Sequence, residues 1–204
     1  MIVCIGRELG SGGRDIGRML AEHLGCAFYD RELLNLAARE SGFSEEVFAR
    51  SDEQKHFFRG VFNIRVSHIG DTAFYNNKLS EESLFKFQSD AIRTAAATGP
   101  CVFVGRCADY VLRDREDMVS VFITADVDDR VKRMCGRVGL TETEARKTVL
   151  RGDADRAAYY NYYTGKKWGY SATYDLCVNS SVLGIERTEE YIRTFIRARE
   201  DAKQ

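Results

Sequence analysis

The chain has 204 residues, 44% of them hydrophobic and 30% charged, and 30 Lys and Arg offset 31 Asp and Glu for a formal net charge of −1. That length suits one compact domain with a sizeable core, and the near-neutral balance excludes a global basic field for nucleic-acid binding, so any anion site must be local. No apolar run approaches the roughly 20 residues that span a bilayer, and the start MIVCIGRELG lacks the pattern of a secretory signal, which makes the cytoplasm the expected compartment, with no membrane or nucleic-acid partner.

Residues 2–5 form a short apolar run that stops at Gly6, the mark of a buried strand, and a glycine-rich stretch follows. From Arg14 on, Ile16, Met19, Leu20 and Leu24 recur at helical spacing up to Gly25. Residues 27–29 make a second apolar run ending at Asp30, and 32–38 are helical by composition. The aromatic-rich segment 41–80 has no dominant period and reads as irregular helices and loops. Leu84, Gln88, Ala91, Ile92 and Ala95 then mark a helix, stopped by Gly99-Pro100 and followed by a buried strand over 101–104.

A further strand is expected over 119–124, with a helix after it whose apolar face carries Val127, Val131, Met134 and Val138. Thr141 and Glu144 form a capping-box pattern that opens another helix. Beyond a Tyr-rich patch, 174–178 is the last strand, and Ile185, Thr188, Ile192, Phe195 and Ile196 make a closing amphipathic helix. Short strands alternating with helices predict an α/β fold: a mostly parallel sheet covered on both faces, with ligands beyond the carboxyl ends of the strands.

The six cysteines are scattered without a C-x-x-C pair and read as small core residues. His23, His56 and His68 show neither ligand nor triad spacing, so neither a zinc site nor a hydrolase triad is expected. Four groups remain that suit chemistry. Gly6, Gly10, Gly12 and Gly13 fall within eight residues between a strand and a helix, more than an ordinary tight turn needs. Glycines there let backbone N–H groups converge at a helix N-terminus, which favours phosphate. The standard form G-x-x-x-x-G-K-[ST] is not met: Gly13 follows Gly12, and Arg14 and Asp15 stand where a hydroxyl for Mg²⁺ belongs. Arg14 is the expected substitute cation, although a guanidinium is not a copy of an ammonium.

Asp30 and Arg31 end the second strand; Asp30 either orients an acceptor or caps the next helix. Arg106, after Gly105, is placed to grip an acceptor phosphate, against the alternative of an ordinary surface arginine. Arg130, Arg133 and Arg137 share one helical side, with Arg151, Asp153, Arg156, Lys166 and Lys167 beyond them. They make either a cationic lid for phosphoryl transfer or a solvated face. The patch Tyr159, Tyr160, Tyr162 and Tyr163 with Trp168 suits packing of the lid helix or a homodimer contact better than stacking on a base.

The segments GRELGSGGRDIG, FYDREL, VFVGRCADYVL, FITADVDDRVKR, DADRAAYYNYYTGKKWG and YDLCVNSSVLGIE occur in order and together resemble the cytidylate kinase-like proteins. The resemblance covers nearly the whole chain and is weakest over 41–80. It implies a three-layer α/β/α P-loop kinase fold in a single domain spanning 1–204, with an acceptor-binding helical insert over 40–80 and a helical lid over 130–170. The implied reaction transfers the γ-phosphoryl group of ATP, with Mg²⁺, to a nucleoside monophosphate such as CMP.

Carried onto this sequence, Gly10, Ser11, Gly12, Gly13, Arg14 and Asp15 occupy the phosphate loop, Asp30 matches the acceptor-side Asp, and Arg106 the acceptor-phosphate Arg. Arg133 and Arg156 belong to the lid, where 153–156 resemble its D-x-x-R. Authentic cytidylate kinases carry the loop Lys and its hydroxyl neighbour, and an insert rich in CMP contacts that has no identified counterpart here. Loss of one contact aimed at transition-state charge costs about 3 kcal/mol, roughly a hundredfold in rate. Two further readings follow: a nucleotide-binding protein with little or no turnover, and a kinase for a non-nucleotide alcohol. No protein metal ligand is expected.

Overall fold

A computed structural model of the chain describes residues 1–30 and 73–202. Five parallel strands form one sheet in the order β2-β3-β1-β4-β5: β1 (Ile2–Arg7), β2 (Ala27–Tyr29), β3 (Cys101–Val104), β4 (Met118–Thr124) and β5 (Leu176–Asn179). The strands alternate with α1 (Gly13–Leu24), α2 (Ala73–Thr98), the short α3 (Ala108–Val111), α4 (Val127–Val138), α5 (Glu142–Thr164) and α6 (Ser180–Asp201). A 3-10 turn over Ser171–Thr173 leads into β5.

Strand periodicity divides the core into two layers. Val3 and Ile5 of β1, with Val102 and Val104 of β3, pack with Ile16 and Leu20 of α1 and Ile192 and Ile196 of α6. Their alternates Ile2, Cys4, Cys101 and Phe103 pack with Ile92 and Ala96 of α2 and with Val111 and Leu112. All four residues of β3 are buried, as a central parallel strand covered on both faces requires. A third cluster, Val131, Met134, Ala145 and Val149, joins α4 to α5. The expected capping box is formed: the Thr141 hydroxyl accepts from the Glu144 N–H, and the Glu144 carboxylate accepts from the Thr141 N–H at 3.0 Å.

Several elements depart from the apolar pattern. β1 continues past Gly6, because Gly6 and Arg7 still pair with Phe122 and Ile123 of β4. A Cβ on Gly6 would lie 2.8 Å from the Phe122 ring, so the glycine is there for close packing rather than to end the strand. α5 runs 23 residues and absorbs the Tyr-rich patch. The last helix starts at Ser180, ahead of its apolar stripe, and kinks at Gly184. β5 begins at Leu176, since Asp175 is used instead to accept the Ser120 N–H and hydroxyl.

All six cysteines are free; Cys4, Cys101 and Cys107 are buried, whereas Cys177 on edge strand β5 is exposed. His23 lies 3.1 Å from the buried Glu189 carboxylate. The helix expected over 32–38, His56 and His68, and most of the 40–80 insert lie outside the described residues. Among the described residues no helix is long and apolar enough to cross a membrane.

Candidate active site

β1 is followed in sequence by β2, which lies to one side of it, and β3 is followed by β4, which lies to the other. The chains leaving β1 and β3 therefore part above the boundary between these two adjacent strands, the place where open α/β sheets hold ligands. The glycine-rich loop leaves β1 at this point. Gly10 and Gly12 both have left-handed backbones (φ 81° and 80°), which turn the chain into the N-terminus of α1 at Gly13. The loop thus leads directly into the positive end of a helix.

The loop is anchored from outside by long-range polar contacts. Ser11 is fully buried; its hydroxyl donates to the Glu8 carbonyl at 2.9 Å, and its own carbonyl accepts from the Ser180 hydroxyl at 2.7 Å. Arg133 donates to the Gly10 carbonyl and to Ser180, both at 3.2 Å. The Leu9 N–H donates to Asp153 at 2.7 Å, and Asp153 also pairs with the buried Arg130. Glu8 accepts from the Thr124 hydroxyl and the Ala125 N–H. Arg133 and Asp153 thereby hold backbone atoms of the loop directly, and Arg130 braces Asp153 from behind.

Arg14 is placed differently from Arg133. Its guanidinium contacts the Asp30 carboxylate at 2.6 and 2.8 Å, joining α1 to the end of β2; the Arg14 side chain is 51% exposed and that of Asp30 is 8% exposed. Asp15 pairs with Arg18 at 3.3 Å and with Arg137.

β3 is followed by Gly105, Arg106 and Cys107, three successive residues with positive φ (83°, 59° and 55°). For Arg106 and Cys107 such a backbone is strained, and strain of this kind collects at functional sites. Among the described residues Arg106 has no carboxylate partner; its guanidinium lies 5.5 Å from the centre of the Tyr159 ring. Burial pushes the Cys107 thiol up to about 12, which removes it as a nucleophile at neutral pH.

Arg156 donates to the Arg7 carbonyl at 3.2 Å and lies 4.0 Å from Asp153. Burial pulls the Arg156 guanidinium below the usual arginine value; Asp153 opposes this, and the nearby Arg106 and Arg130 add to it. Cations are therefore crowded at the mouth of the crevice, the field an anionic ligand needs.

The tyrosines are occupied in packing. Tyr163 stacks on Phe85 of α2 at 4.1 Å, Tyr159 lies 4.7 Å from Tyr163, and Trp168 packs edge-on against Phe122. Tyr160 donates to Asp109 at 2.6 Å. Arg7, Glu8 and Ser180 contribute to the site without an expected role. Only Arg7 and Glu8 sit in a segment whose composition drew attention to it, while Ser180 is brought in by the sheet.

The loop fits a polyphosphate: its turn-forming residues are glycines and its backbone stands at a helix N-terminus. It offers a divalent ion less. Asp15 is engaged by two arginines, and among the described residues no group of three His, Cys, Asp or Glu side chains is gathered for a metal. Mg²⁺ would be held chiefly by the phosphates of its nucleotide and by water.

The pattern of the cytidylate kinase-like family matches residues 2–182. No curated protein matches the chain. Among solved structures, it is similar to an uncharacterized protein from Eubacterium ventriosum ATCC 27560, with 29% identity, 97% of this chain and 98% of that one covered, and a TM-score of 0.74. It is also similar in fold to a shikimate kinase from Bacteroides thetaiotaomicron, with 12% identity, 97% and 98% covered, and a TM-score of 0.53. The three-layer α/β/α architecture is that of the P-loop kinases, and with the match running over most of its length the chain belongs to the cytidylate kinase-like family.

Proposed function

We propose that the chain is an ATP-dependent phosphotransferase acting on a small acceptor, a nucleoside monophosphate such as CMP before a non-nucleotide alcohol. The observation that carries this reading is the pairing of an anchored glycine loop with Arg106, a guanidinium held on strained backbone without a carboxylate partner among the described residues. A protein that only bound a nucleotide would have no use for a second anion grip across the crevice.

In the reaction the bond from the γ-phosphorus to the bridging oxygen breaks and a bond to the acceptor oxygen forms, with ADP leaving. The loop amides of residues 10–15 would hold the nucleotide phosphates, and Arg106 and Arg156 would neutralise charge on the transferred group and the acceptor. Asp30, held by Arg14, would orient the acceptor oxygen. Arg133 acts through the Gly10 carbonyl as a positioning residue. The segment 130–170 serves as the lid and 40–80 as the acceptor insert, and ATP enters with Mg²⁺.

The test is ADP release from Mg²⁺-ATP with CMP, dCMP, UMP, AMP, GMP and shikimate offered separately, alongside Arg106→Ala to expose contaminating kinases. Acceptor-dependent release by the wild type that drops at least tenfold in the variant supports the reading. ATP binding with no release above the acceptor-free background, across the panel, would leave a nucleotide-binding protein with little or no turnover. Release with shikimate alone would assign the alcohol kinase.

A further inference from the structure

The standard phosphate loop G-x-x-x-x-G-K places a glycine at its first position and a lysine directly after its last glycine. Counting back from Gly12, the first glycine position falls on Arg7 and the lysine position on Gly13. Both defining residues are changed, and the two changes are complementary: an arginine stands where glycine belongs, a glycine where lysine belongs.

In space the two positions touch. A Cβ added at Gly13 would lie 2.6 Å from Arg7 Cβ and 2.9 Å from Arg7 Cγ. The stem of Arg7 therefore already fills the room into which any side chain at position 13 would start. Its far end crosses the crevice. A Cβ on Gly105 would lie 2.2 Å from one terminal nitrogen of Arg7 and 2.8 Å from its guanidinium carbon, so the head group rests on the backbone at the end of β3. Arg7 thus runs from beneath the N-terminus of α1 to the start of the Gly105-Arg106 turn, along the boundary between β1 and β3. Arg156 fixes its backbone by donating to the Arg7 carbonyl.

We infer that Arg7, rather than Arg14, supplies the cation that the lysine gives a standard phosphate loop, with Gly13 vacated to admit it. Arg14 follows the lysine position, on α1, and its guanidinium is given to Asp30 at the end of β2. Arg7 begins from the strand beneath the loop, as the missing lysine side chain would begin from the helix above it, and both converge on the same crevice. A guanidinium reaching there from β1 can grip two phosphate oxygens where an ammonium grips one. The inference rests on the phosphotransferase reading and refines which residue serves it.

The experiment measures dissociation constants for ATP and for inorganic triphosphate, with Mg²⁺, by titration calorimetry on the wild type, Arg7→Met, Arg14→Met, Gly13→Lys and the double variant Arg7→Gly with Gly13→Lys. Melting curves check that each is folded. Arg7→Met should weaken both ligands at least tenfold, and more than Arg14→Met does. Gly13→Lys alone should bind poorly, because Arg7 obstructs it. The double variant, which restores the standard order, should recover binding to within about threefold of wild type.

A merely structural Arg7 predicts no recovery in a folded double variant, and that result overturns the inference. So does a folded Arg7→Met that binds both ligands like wild type, or a larger loss in Arg14→Met. If Arg7→Met does not fold, Arg7→Lys against Arg7→Gln decides: equal binding by these two overturns the inference, and tighter binding by the lysine variant upholds it. A wild type that binds neither ligand would overturn the phosphotransferase reading along with it, whereas a wild type that binds both while Arg7 proves dispensable removes only the Arg7 assignment.

Discussion

Asp153, midway along α5, accepts the backbone N–H of Leu9 at 2.7 Å, tying that helix to the start of the glycine-rich loop. Its second oxygen pairs with Arg130, whose side chain is 5% exposed and whose Nε has no hydrogen-bond partner among the described residues. The Glu8 carboxylate lies 3.6 Å from that guanidinium. Removing one partner of a buried pair leaves a charge without compensation, which costs more than the pair itself contributes. Asp153→Ala should lower unfolding stability by about 3 kcal/mol, read as a fall in the urea midpoint. Asp153→Asn, which keeps an acceptor for Leu9, should cost less. Wild-type stability in Asp153→Ala would show that the anchor is not held by charge.

Gly10 and Gly12 share a backbone conformation but not an environment. A left-handed residue with a side chain costs about 1–2 kcal/mol at either position. At Gly10 the new Cβ would also lie 2.8 Å from the Arg130 carbonyl, a backbone atom of α4 that cannot yield without moving the helix. At Gly12 it would meet the terminal methyl of Ile185, a flexible end. Gly10→Ala should therefore be the more destabilising by urea titration. Ile185→Val should recover part of the loss in Gly12→Ala and none of that in Gly10→Ala. Equal losses at both positions would mean that backbone strain alone decides.

The sequence made the strand, glycine loop and helix of residues 2–24 readable because all their signals are local: an apolar run, glycines, then helical spacing. The extension of β1 to Arg7 was not readable, since it depends on pairing with Ile123, a partner outside any local window. That extension is what sets Arg7 at the carboxyl end of the central strand. The anchors of the loop escape for the same reason. Nothing near Leu9 announces Asp153, and nothing near Ser11 announces Ser180. Arg106 was legible as a cation after a buried strand; that it sits on a left-handed backbone was not, because only glycine advertises that conformation in sequence.

Asp109 follows the strained turn and accepts from Tyr160 at 2.6 Å. Burial pushes its carboxyl up from the ordinary value of 3.8, against the hydrogen bond from Tyr160, which favours the carboxylate. A carboxyl whose native pKa exceeds its unfolded one holds its proton more tightly when folded. Its contribution to stability therefore falls as pH rises from the unfolded value through the native one, then stays level. The amide of Asp109→Asn cannot titrate and still accepts from Tyr160. Urea midpoints of this variant relative to wild type should rise between pH 4 and the raised native value. The gain is limited to about 1.4 kcal/mol for each pH unit over which the native state keeps the extra proton. A difference independent of pH would remove Asp109 from the acid response of the fold.

Arg106 combines a positive φ of 59° with an interaction of its guanidinium with Tyr159 at 5.5 Å. Arg106→Ala and Arg106→Gly both delete the guanidinium and the ring contact, so the difference between them isolates the backbone. Glycine adopts this conformation without a Cβ penalty, whereas alanine retains it. Arg106→Gly should exceed Arg106→Ala in stability by about 1 kcal/mol, offset in part by the greater entropy of a glycine in the unfolded chain. Both should raise the acceptor KM at least tenfold while leaving the affinity for ATP within about threefold of wild type, since a charge-assisted grip on an acceptor phosphate contributes about 1.5–3 kcal/mol. Relative to Arg106→Ala, the glycine variant should thus gain stability by urea titration without any recovery of KM for the acceptor that the release assay identifies. If the two variants are equally stable, the left-handed backbone carries no strain. If acceptor KM is unchanged in both, Arg106 does not grip the acceptor, and the strain at the end of β3 serves the packing of Tyr159 instead.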